Sequence, residues 1–359
     1  MRDEDWPLLV AWLLAAMRPT GPFPVLALYG EQGSAKSTTA RLLRMLVDPN
    51  SAPLRCEPRE PRDLMIAANN GWVVALDNLS RITPWLSDAL CRLSTGGGFS
   101  TRSLYTDDDE VIFESQRPAI VTGIEELASR GDLLDRALIV YLPTISEDNR
   151  RPESQLWADF EQQRPQILGG LLDVVAAAIR NLPATKLDVL PRMADFALWA
   201  TAAETALWAA GTFAAAYAAN RDDANCNALD GSPVAKVLTD WLKDPFVGTA
   251  SDLLAELDAA ANEQTKRLKS WPKTPQAMGG ALSRLAPNLR QAGIAVNYDR
   301  KKNSRLIRLR RDSVVTAVTS VTEGDKGDKG DNEIQTNSND PPRDLFTENT
   351  ADPEAVGWE

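Results

Sequence analysis

Histidine is absent from this 359-residue sequence. Its absence excludes Ser-His catalytic triads, histidine metal ligands and the commonest general base. Cysteine is scarce, since only Cys56, Cys91 and Cys226 occur, and none has the paired spacing of a zinc site. This usage favours a reducing compartment over a disulfide framework. Hydrolysis, if there is any, must therefore depend on carboxylates, lysine, arginine or a bound metal.

Long apolar runs are missing near the N-terminus. The run at residues 8–17, LLVAWLLAAM, is shorter than the roughly 20 residues needed to span a bilayer. It follows acidic residues at 3–5, where a secretory signal would be basic. We therefore expect a buried helix, a cytoplasmic protein and no membrane partner.

Charge is unevenly distributed along a chain that is 43% hydrophobic and 25% charged, as is usual for a folded protein of two or three domains. Residues 266–311 carry thirteen Lys/Arg and one acid, Asp299, whereas residues 312–359 carry twelve acids and three basic residues. The net charge of the whole chain is −11. A polyanion would thus have one preferred docking place, in the basic segment.

The stretch YGEQGSAKSTT at 29–39 lies between an apolar run at 24–29 and a helical pattern at 36–47. Strand, glycine loop and helix form the context of a phosphate-binding loop, although a strand–turn–helix corner with an unrelated lysine would give similar letters. Loop amides would point at the phosphates of ATP, Lys36 would lie near the terminal phosphates, and Ser37 would meet Mg²⁺. The predicted nucleotide-binding residues are Gly30, Glu31, Gln32, Gly33, Ser34, Ala35, Lys36, Ser37 and Thr38.

Ala35 departs from the usual loop, which has glycine before the lysine. Its methyl group is harmless if the backbone φ is negative and costly if φ is positive. The sequence leaves both possibilities open.

Further apolar segments end in polar residues. Asp77 ends residues 71–78 and could hold the water shell of Mg²⁺ beside Ser37, while Thr122 ends 117–123 and could orient water. Arg130 and Arg136 precede a last apolar segment, from which Arg136 could reach the phosphates of a neighbouring subunit as an arginine finger. These alternating segments predict an α/β fold with a parallel sheet covered on both faces and a ligand at the carboxyl ends of its strands.

The runs GEQGSAKST, GWVVALDNLS, RPAIVTGI and DLLDRAL resemble the ATPase domains of phage- and plasmid-type replication proteins, which are related to superfamily 3 helicases in the AAA+ class of P-loop NTPases. The resemblance covers roughly residues 20–145, and residues 190–204 and the basic region are also similar. It implies a ring oligomer, taken here as hexameric, that moves single-stranded DNA with ATP and Mg²⁺, often beside a separate primase.

The resemblance also gives a role to a predicted hairpin, and at Asn78 the sequence departs from the pattern of the family. The run STGGGFSTRSLYTDDDEVIF at 94–113 would project into the ring channel, where Arg102 would touch DNA, unless it is a solvated edge hairpin. Many of these ATPases have a carboxylate after the strand-ending aspartate, but Asn78 stands there and could only orient water. Glu57, at the end of an apparent second strand, and Glu125 are alternative bases. The predicted catalytic residues are Lys36, Asp77, Asn78, Thr122 and Arg136, with Ser37 and Asp77 on the metal.

The domain plan begins with an N-terminal helix (1–20) and the ATPase core (21–148). A helical lid (149–245) follows, in which Arg192 could sense the γ-phosphate. Residues 246–311 read as a winged-helix DNA-binding domain, with Ser251 as a plausible N-cap of its first helix; a solvated basic face is the alternative. The tail at 312–359 reads as acidic and disordered. The predicted contacts with duplex DNA in this basic domain are Arg284, Arg290, Arg300, Lys301, Lys302, Arg305, Arg308 and Arg310.

These features favour an ATP-dependent DNA translocase or helicase that replicates a phage, plasmid or integrated mobile element. The alternative is an initiator or loader that ATP switches and that hydrolyses ATP slowly, as Ala35 and Asn78 would suggest. A metabolic P-loop kinase would leave the basic domain unexplained.

Overall fold

The structure is a computed structural model that describes residues 2–102, 110–124, 130–301 and 304–311. Lys302, Glu125, the tail from residue 312, and the side chains of Arg102, Arg300 and Lys301 lie outside the described residues. In chain order the helices and strands are α1 (Trp6–Ala16), β1 (Val25–Tyr29), α2 (Lys36–Val47), α3 (Pro61–Asn69), β2 (Val74–Leu79), α4 (Pro84–Thr95), β3 (Gly98–Arg102), β4 (Glu110–Glu114), β5 (Ala119–Gly123), α5 (Gly131–Leu134), β6 (Ala137–Tyr141), α6 (Glu153–Asn181), α7 (Ala194–Glu204), α8 (Thr212–Asp230), α9 (Pro233–Trp241), β7 (Phe246–Gly248), α10 (Ala250–Ala260), α11 (Glu263–Arg267), α12 (Pro275–Gln291), β8 (Ile294–Lys301) and β9 (Ser304–Arg311).

The central sheet is parallel, with strand order β2-β5-β1-β6. Tyr29 is level with Gly123 and Tyr141, so the loop that begins at Gly30 leaves the carboxyl edge of the sheet. The parallel sheet is confirmed. The apparent second strand is reduced to a single bridge between Arg55 and Leu76.

Alternate strand residues enter two cores, one on each face of the sheet. Leu26 and Leu28 contact a core formed with α1, α2 and α7, whereas Val25 and Ala27 contact a core formed with α3 and α4. Residues 7–16 of α1 are all buried, as predicted for the apolar run. Such burial on both faces is typical of parallel sheets.

The segment predicted to be a lid joins the first of these cores. Side chains of α6, α7 and α8, among them Val174, Phe196 and Phe213, pack with the sheet residues Leu26 and Leu28. These helices therefore cover a face of the sheet. By length and composition alone, the helix at residues 153–184 could cross a membrane, and 17% of its most apolar window is buried. Core helices of soluble proteins can also be this long and apolar.

The outer edge of β6 is closed by a side chain. The Nδ2 of Asn220 in α8 donates to the carbonyl of Ile139, and its Oδ1 accepts the Ile139 amide at 3.1 Å. Asn220 is buried, so one carboxamide satisfies both backbone groups that a neighbouring strand would otherwise pair.

We expect the variant Asn220→Ala to lower the free energy of unfolding by about 2 kcal/mol, because both backbone groups of Ile139 would be left buried without partners. Urea unfolding would measure the change. The control is Asn149→Ala, whose side chain donates to Ser146 at the surface and should change stability by about 0.5 kcal/mol or less. Equal stability of the two variants would contradict this account of the edge.

The C-terminal elements form a third core, within the same compact unit as the other described residues. Strand β9 lies between β7 and β8, and all pairs are antiparallel. Ile307 and Leu309 are buried while Arg308 is exposed, so the side chains of β9 alternate between this core and the surface. Helix α9 also joins this core, ahead of the predicted boundary at residue 246.

The N-cap of α10 and the hairpin at 94–113 were both predicted from the sequence, and the structure contradicts the first and contains the second. The cap of α10 is Thr249, in a reciprocal capping box with Asp252, so Ser251 as the cap is wrong. The hairpin predicted at 94–113 is present as the antiparallel pair β3–β4. Its place in a ring channel stays a prediction.

Candidate functional site

The glycine loop runs from the end of β1 to the first residue of α2. Gly30 has φ +154°, and a Cβ there would lie 2.4 Å from the carbonyl oxygen of Leu142 and 2.6 Å from Ser34 Oγ. Only glycine fits this position without displacing backbone. Ser34 is buried, and its hydroxyl donates to the Glu31 carbonyl at 2.9 Å, which tightens the loop.

Ala35 has φ +58° and ψ +28°, the left-handed region. The backbone φ of Ala35 is therefore positive, which is the conformation in which its methyl group is costly. Ala35 is also the N-cap of α2 and makes no side-chain cap. The first N–H groups of α2 consequently lack intrahelical and capping partners and are available to an anion such as a phosphate.

Replacing Ala35 by glycine should raise the free energy of unfolding by about 0.5–1 kcal/mol. Left-handed φ costs a non-glycine residue roughly 1–2 kcal/mol, and the extra entropy lost by glycine takes back part of that gain. Guanidinium unfolding would measure it. Asn78→Gly is the comparison, since Asn78 also has φ +57° but asparagine tolerates this region, so it should gain less. A destabilised Ala35→Gly protein would contradict the strain.

Lys36 bends back over the loop. Its Nζ donates to the carbonyls of Gly30 and Glu31, each at 2.7 Å, and lies 3.3 Å from Ser34 Oγ. Partial burial lowers the pKa of this ammonium, while the charge of Asp77 opposes the shift. A phosphate entering the loop would exchange these carbonyl contacts for charge-assisted ones.

Asp77 is the centre of a hydrogen-bonded group that joins three segments. Its Oδ1 accepts the Ser37 hydroxyl at 2.8 Å and the Thr122 hydroxyl at 2.6 Å. Thr122 is buried, and its oxygen also accepts the backbone N–H of Asn78 at 2.9 Å. The structure thus brings together Ser37, Asp77 and Thr122, which the sequence placed at the same edge of the sheet.

The donor set fits Mg²⁺ better than a metal held by protein alone. No group of three or more Cys, Asp or Glu suited to a metal ion occurs in the described part of the chain. One carboxylate and one hydroxyl, Asp77 and Ser37, remain, and Mg²⁺ usually takes few protein ligands together with water and phosphate oxygens.

Asn78 lies exposed beside this group in the left-handed conformation. Its backbone N–H is held by Thr122, which leaves its carboxamide at the surface. Among the described residues, no hydrogen bond joins Glu57 to Asp77, Asn78 or Thr122, and Glu57 is exposed. The structure therefore does not bring this alternative base into the group.

The predicted arginines lie at the opposite edge of the sheet. The carbonyl of Arg136 accepts the N–H of Val25, at the start of β1, whereas Gly30 follows its end. At about 3.3 Å per residue the two levels are roughly 20 Å apart. Arg192 pairs with Asp135 at 3.1 Å near that same edge. Neither arginine is brought to the loop of its own chain, so Arg192 is not placed to sense a γ-phosphate there.

The predicted DNA-binding arginines divide by their contacts. Arg290 donates to the carbonyl of Val296 at 2.9 Å, which anchors α12 to β8. Arg308 pairs with Asp299, and the guanidinium of Arg305 lies 4.0 Å from the ring centroid of Tyr298. Arg284 is exposed and lines an open cleft of about 630 Å³ beside α5. Arg310 is exposed on β9.

Five further basic residues of the segment 266–311 have no predicted site, and one of them, Arg311, ends β9 and donates to the carbonyl of Leu242 at 2.9 Å. The other four lie in the last turn of α11 or between α11 and Thr274, the N-cap of α12, and Arg267 and Lys269 are exposed. Their close spacing just before a helix was the available signal. The four are Lys266, Arg267, Lys269 and Lys273.

Comparison with known proteins gives two family matches. A family described as actinomycete integrative conjugative element replication protein matches residues 3–227, and the AICE RepA C-terminal domain matches residues 234–323. No curated protein matches. Among solved structures, "The A form apo structure of NrS-1 C terminal region-CTR" is similar at 12% identity and a TM-score of 0.37, covering 84% of this chain and 70% of that one. A likeness of that size carries no argument.

Proposed function

The chain belongs to the family of actinomycete integrative conjugative element replication proteins, and we propose that it acts in replication as an ATP-dependent DNA translocase or helicase. The observation that carries this proposal is the group at the carboxyl edge of the sheet. Ser37, Asp77 and Thr122 come from three separate segments and meet within 2.8 Å of one carboxylate oxygen. They stand beside a glycine loop and an uncapped helix start.

ATP would bind with its phosphates against the loop amides and the N-terminus of α2. Lys36 would leave its loop carbonyls to contact the terminal phosphates, while Ser37 and Asp77 would hold the metal shell. Bound Mg²⁺ would neutralise charge on the phosphates. Thr122 would fix Asp77 and, through the Asn78 N–H, the end of β2. In this arrangement we propose a P-loop ATPase of the AAA+ class.

An ATP-switched initiator or loader is the second candidate, and Asn78 favours it. No second carboxylate joins the hydrogen-bonded group of Asp77 among the described residues, so a general base for water is missing there. Asn78 could still orient water by its carboxamide.

ATP turnover with and without single-stranded DNA separates these candidates, measured beside Lys36→Ala. Turnover that DNA stimulates and that the variant loses supports the motor. Nucleotide binding without turnover sinks the motor and supports the switch. Absence of both in the wild-type chain would overturn the nucleotide site itself.

We propose that the C-terminal elements bind duplex DNA as a winged helix. A helix and short strand (α9, β7), further helices (α10–α12) and the hairpin β8–β9 follow each other in that order, which supports the assignment. Helix α12 would be the recognition helix. The end of α11 and the connection that follows it, with exposed Arg267 and Lys269, would contact phosphates and so position helix α12.

The paired variant Arg267→Gln with Lys269→Gln should weaken duplex binding uniformly across sequences. It should reduce the slope of log affinity against log salt by about 2, one for each lost phosphate contact. Fluorescence anisotropy at several salt concentrations measures this slope. Arg151→Gln, an exposed basic residue beside Asp159, is the control. A slope equal to that of the wild type would exclude this connection from the interface.

The position of Arg136 supports a role for neighbouring subunits. It lies roughly 20 Å from the loop of its own chain, so we propose that it serves the nucleotide of a neighbour in a hexameric ring. Single-stranded DNA would pass through the ring along the β3–β4 hairpin and Arg102, and a separate primase would prime the strand.

A further inference from the structure

Two arginines hold the segment that carries Arg136, one just before α7 and the other in α8. Asp135 is mostly buried, and its carboxylate accepts hydrogen bonds from two arginines. Arg192, just before α7, lies 3.1 Å from Oδ2, and Arg221 of α8 donates to Oδ1. Arg221 also donates to the carbonyl of Leu134. Three hydrogen bonds from guanidinium groups therefore hold residues 134–135 to α8 and to the start of α7, here called the helical layer.

Arg136, the next residue, has a different set of contacts. Its Nη1 donates to the carbonyl of Asp132 at 2.7 Å and lies 3.9 Å from Cys91 Sγ. No carboxylate lies within ion-pair distance of it among the described residues, and its Nε is buried without a partner. Arg136 thus keeps an uncompensated charge, whereas Arg130 in the same segment pairs with Asp88 and Asp132.

An uncompensated guanidinium is useful only if its position is fixed. The chain leaves α5 at Leu134 and enters β6 at Ala137, so the two residues between them set the direction in which Arg136 points. One of those two is Asp135, which the helical layer holds by both carboxylate oxygens. A bidentate grip by two arginines fixes rotation as well as position.

We propose that Asp135 is a positioning residue, through which Arg192 and Arg221 set Arg136 for the phosphates of a neighbouring subunit's nucleotide. This inference rests on the proposed ATPase function. Movement of α7 and α8 would displace Arg136 directly, and a displacement of about 1 Å at a reacting centre can cost on the order of 100-fold in rate.

The test is steady-state ATP turnover of the full chain with single-stranded DNA. Asp135→Asn should lower kcat on the order of 10- to 100-fold while KM and the affinity for a fluorescent ADP analogue stay within about twofold. Asp223→Asn is the matched control, because it removes a half-exposed ion pair with Arg2 elsewhere on α8 and should leave turnover unchanged. Arg192→Gln removes only the exposed arm of the grip, with a smaller loss of kcat, and serves if Asp135→Asn fails to fold.

The double variant with Arg136→Ala separates positioning from general stability. If Asp135 acts through Arg136, Asp135→Asn should cost nothing further once Arg136 is gone. The inference would be overturned if the two single-variant losses of kcat multiplied in the double variant, or if either Asp135→Asn or Arg136→Ala kept the wild-type kcat. Either result would leave the ATPase proposal standing. A wild-type chain without turnover would overturn both.

Discussion

Replacing Arg44 by alanine should lower the free energy of unfolding by about 3–5 kcal/mol, the usual cost of breaking a buried ion pair by removing one partner. Arg44 is a charged residue with 0% exposure, on the buried side of α2. Its Nη2 donates to Asp48 at 3.1 Å, and its Nη1 donates to the carbonyl of Pro53 at 2.7 Å. It therefore ties α2 to the chain that follows it.

The loss would come from the groups left behind. The carbonyl of Pro53 would lose its donor, and Asp48 would keep only the N–H of Val73, at 2.9 Å. The guanidinium of Arg44 also fills space against Gly71, where a Cβ would lie 2.9 Å from Nη2. Alanine would leave a cavity in that place, which adds to the cost.

Arg41→Ala provides the control on the same helix. Arg41 pairs with Glu153 at 3.2 Å, and both side chains are exposed, so the expected change is about 0–1 kcal/mol. Urea unfolding of the two variants gives the comparison directly. Similar losses in both would mean that burial of Arg44 does not set its contribution.

The sequence predicted the site's convergence because parallel strands end at one edge of a sheet. Asp77 and Thr122 each close an apolar run, and that position alone implied that they would meet near the loop. The sign of φ at Ala35 could not be predicted in this way. It depends on how the loop joins β1 to α2, which residue identity leaves open.

Long and polar side chains account for most of what the sequence missed. Arg290 reads as a surface arginine of a recognition helix, yet its length lets it reach the carbonyl of Val296. Asn220 lies within an alanine-rich helical pattern, and only the tertiary fold shows that the open edge of β6 faces it. For α10, by contrast, a signal was present, since Thr249 and Asp252 have the spacing of a capping box.

Replacing Asp77 by asparagine should reduce Mg²⁺-dependent nucleotide affinity and turnover on the order of 100-fold, as for loss of a group that orients a bound metal. The amide oxygen of asparagine can still accept the hydroxyls of Ser37 and Thr122, which now lie at 2.8 and 2.6 Å from Oδ1. The substitution thus removes the charge and keeps the hydrogen bonds and the volume. Stability should change by about 1 kcal/mol or less.

Thr122→Val makes the complementary change, because it removes the hydroxyl and keeps the charge of Asp77. The N–H of Asn78 would lose its acceptor, the hydroxyl of the buried Thr122, which costs about 1–3 kcal/mol of stability. Binding of a fluorescent ATP analogue with and without Mg²⁺, beside thermal unfolding, distinguishes the two variants. Asp77→Asn should lose the effect of Mg²⁺ at nearly full stability, whereas Thr122→Val should lose stability and retain more of that effect. If Asp77→Asn kept Mg²⁺-dependent binding and turnover, the carboxylate would be a structural acceptor for two hydroxyls, and the nucleotide site would have to draw its metal ligands from elsewhere.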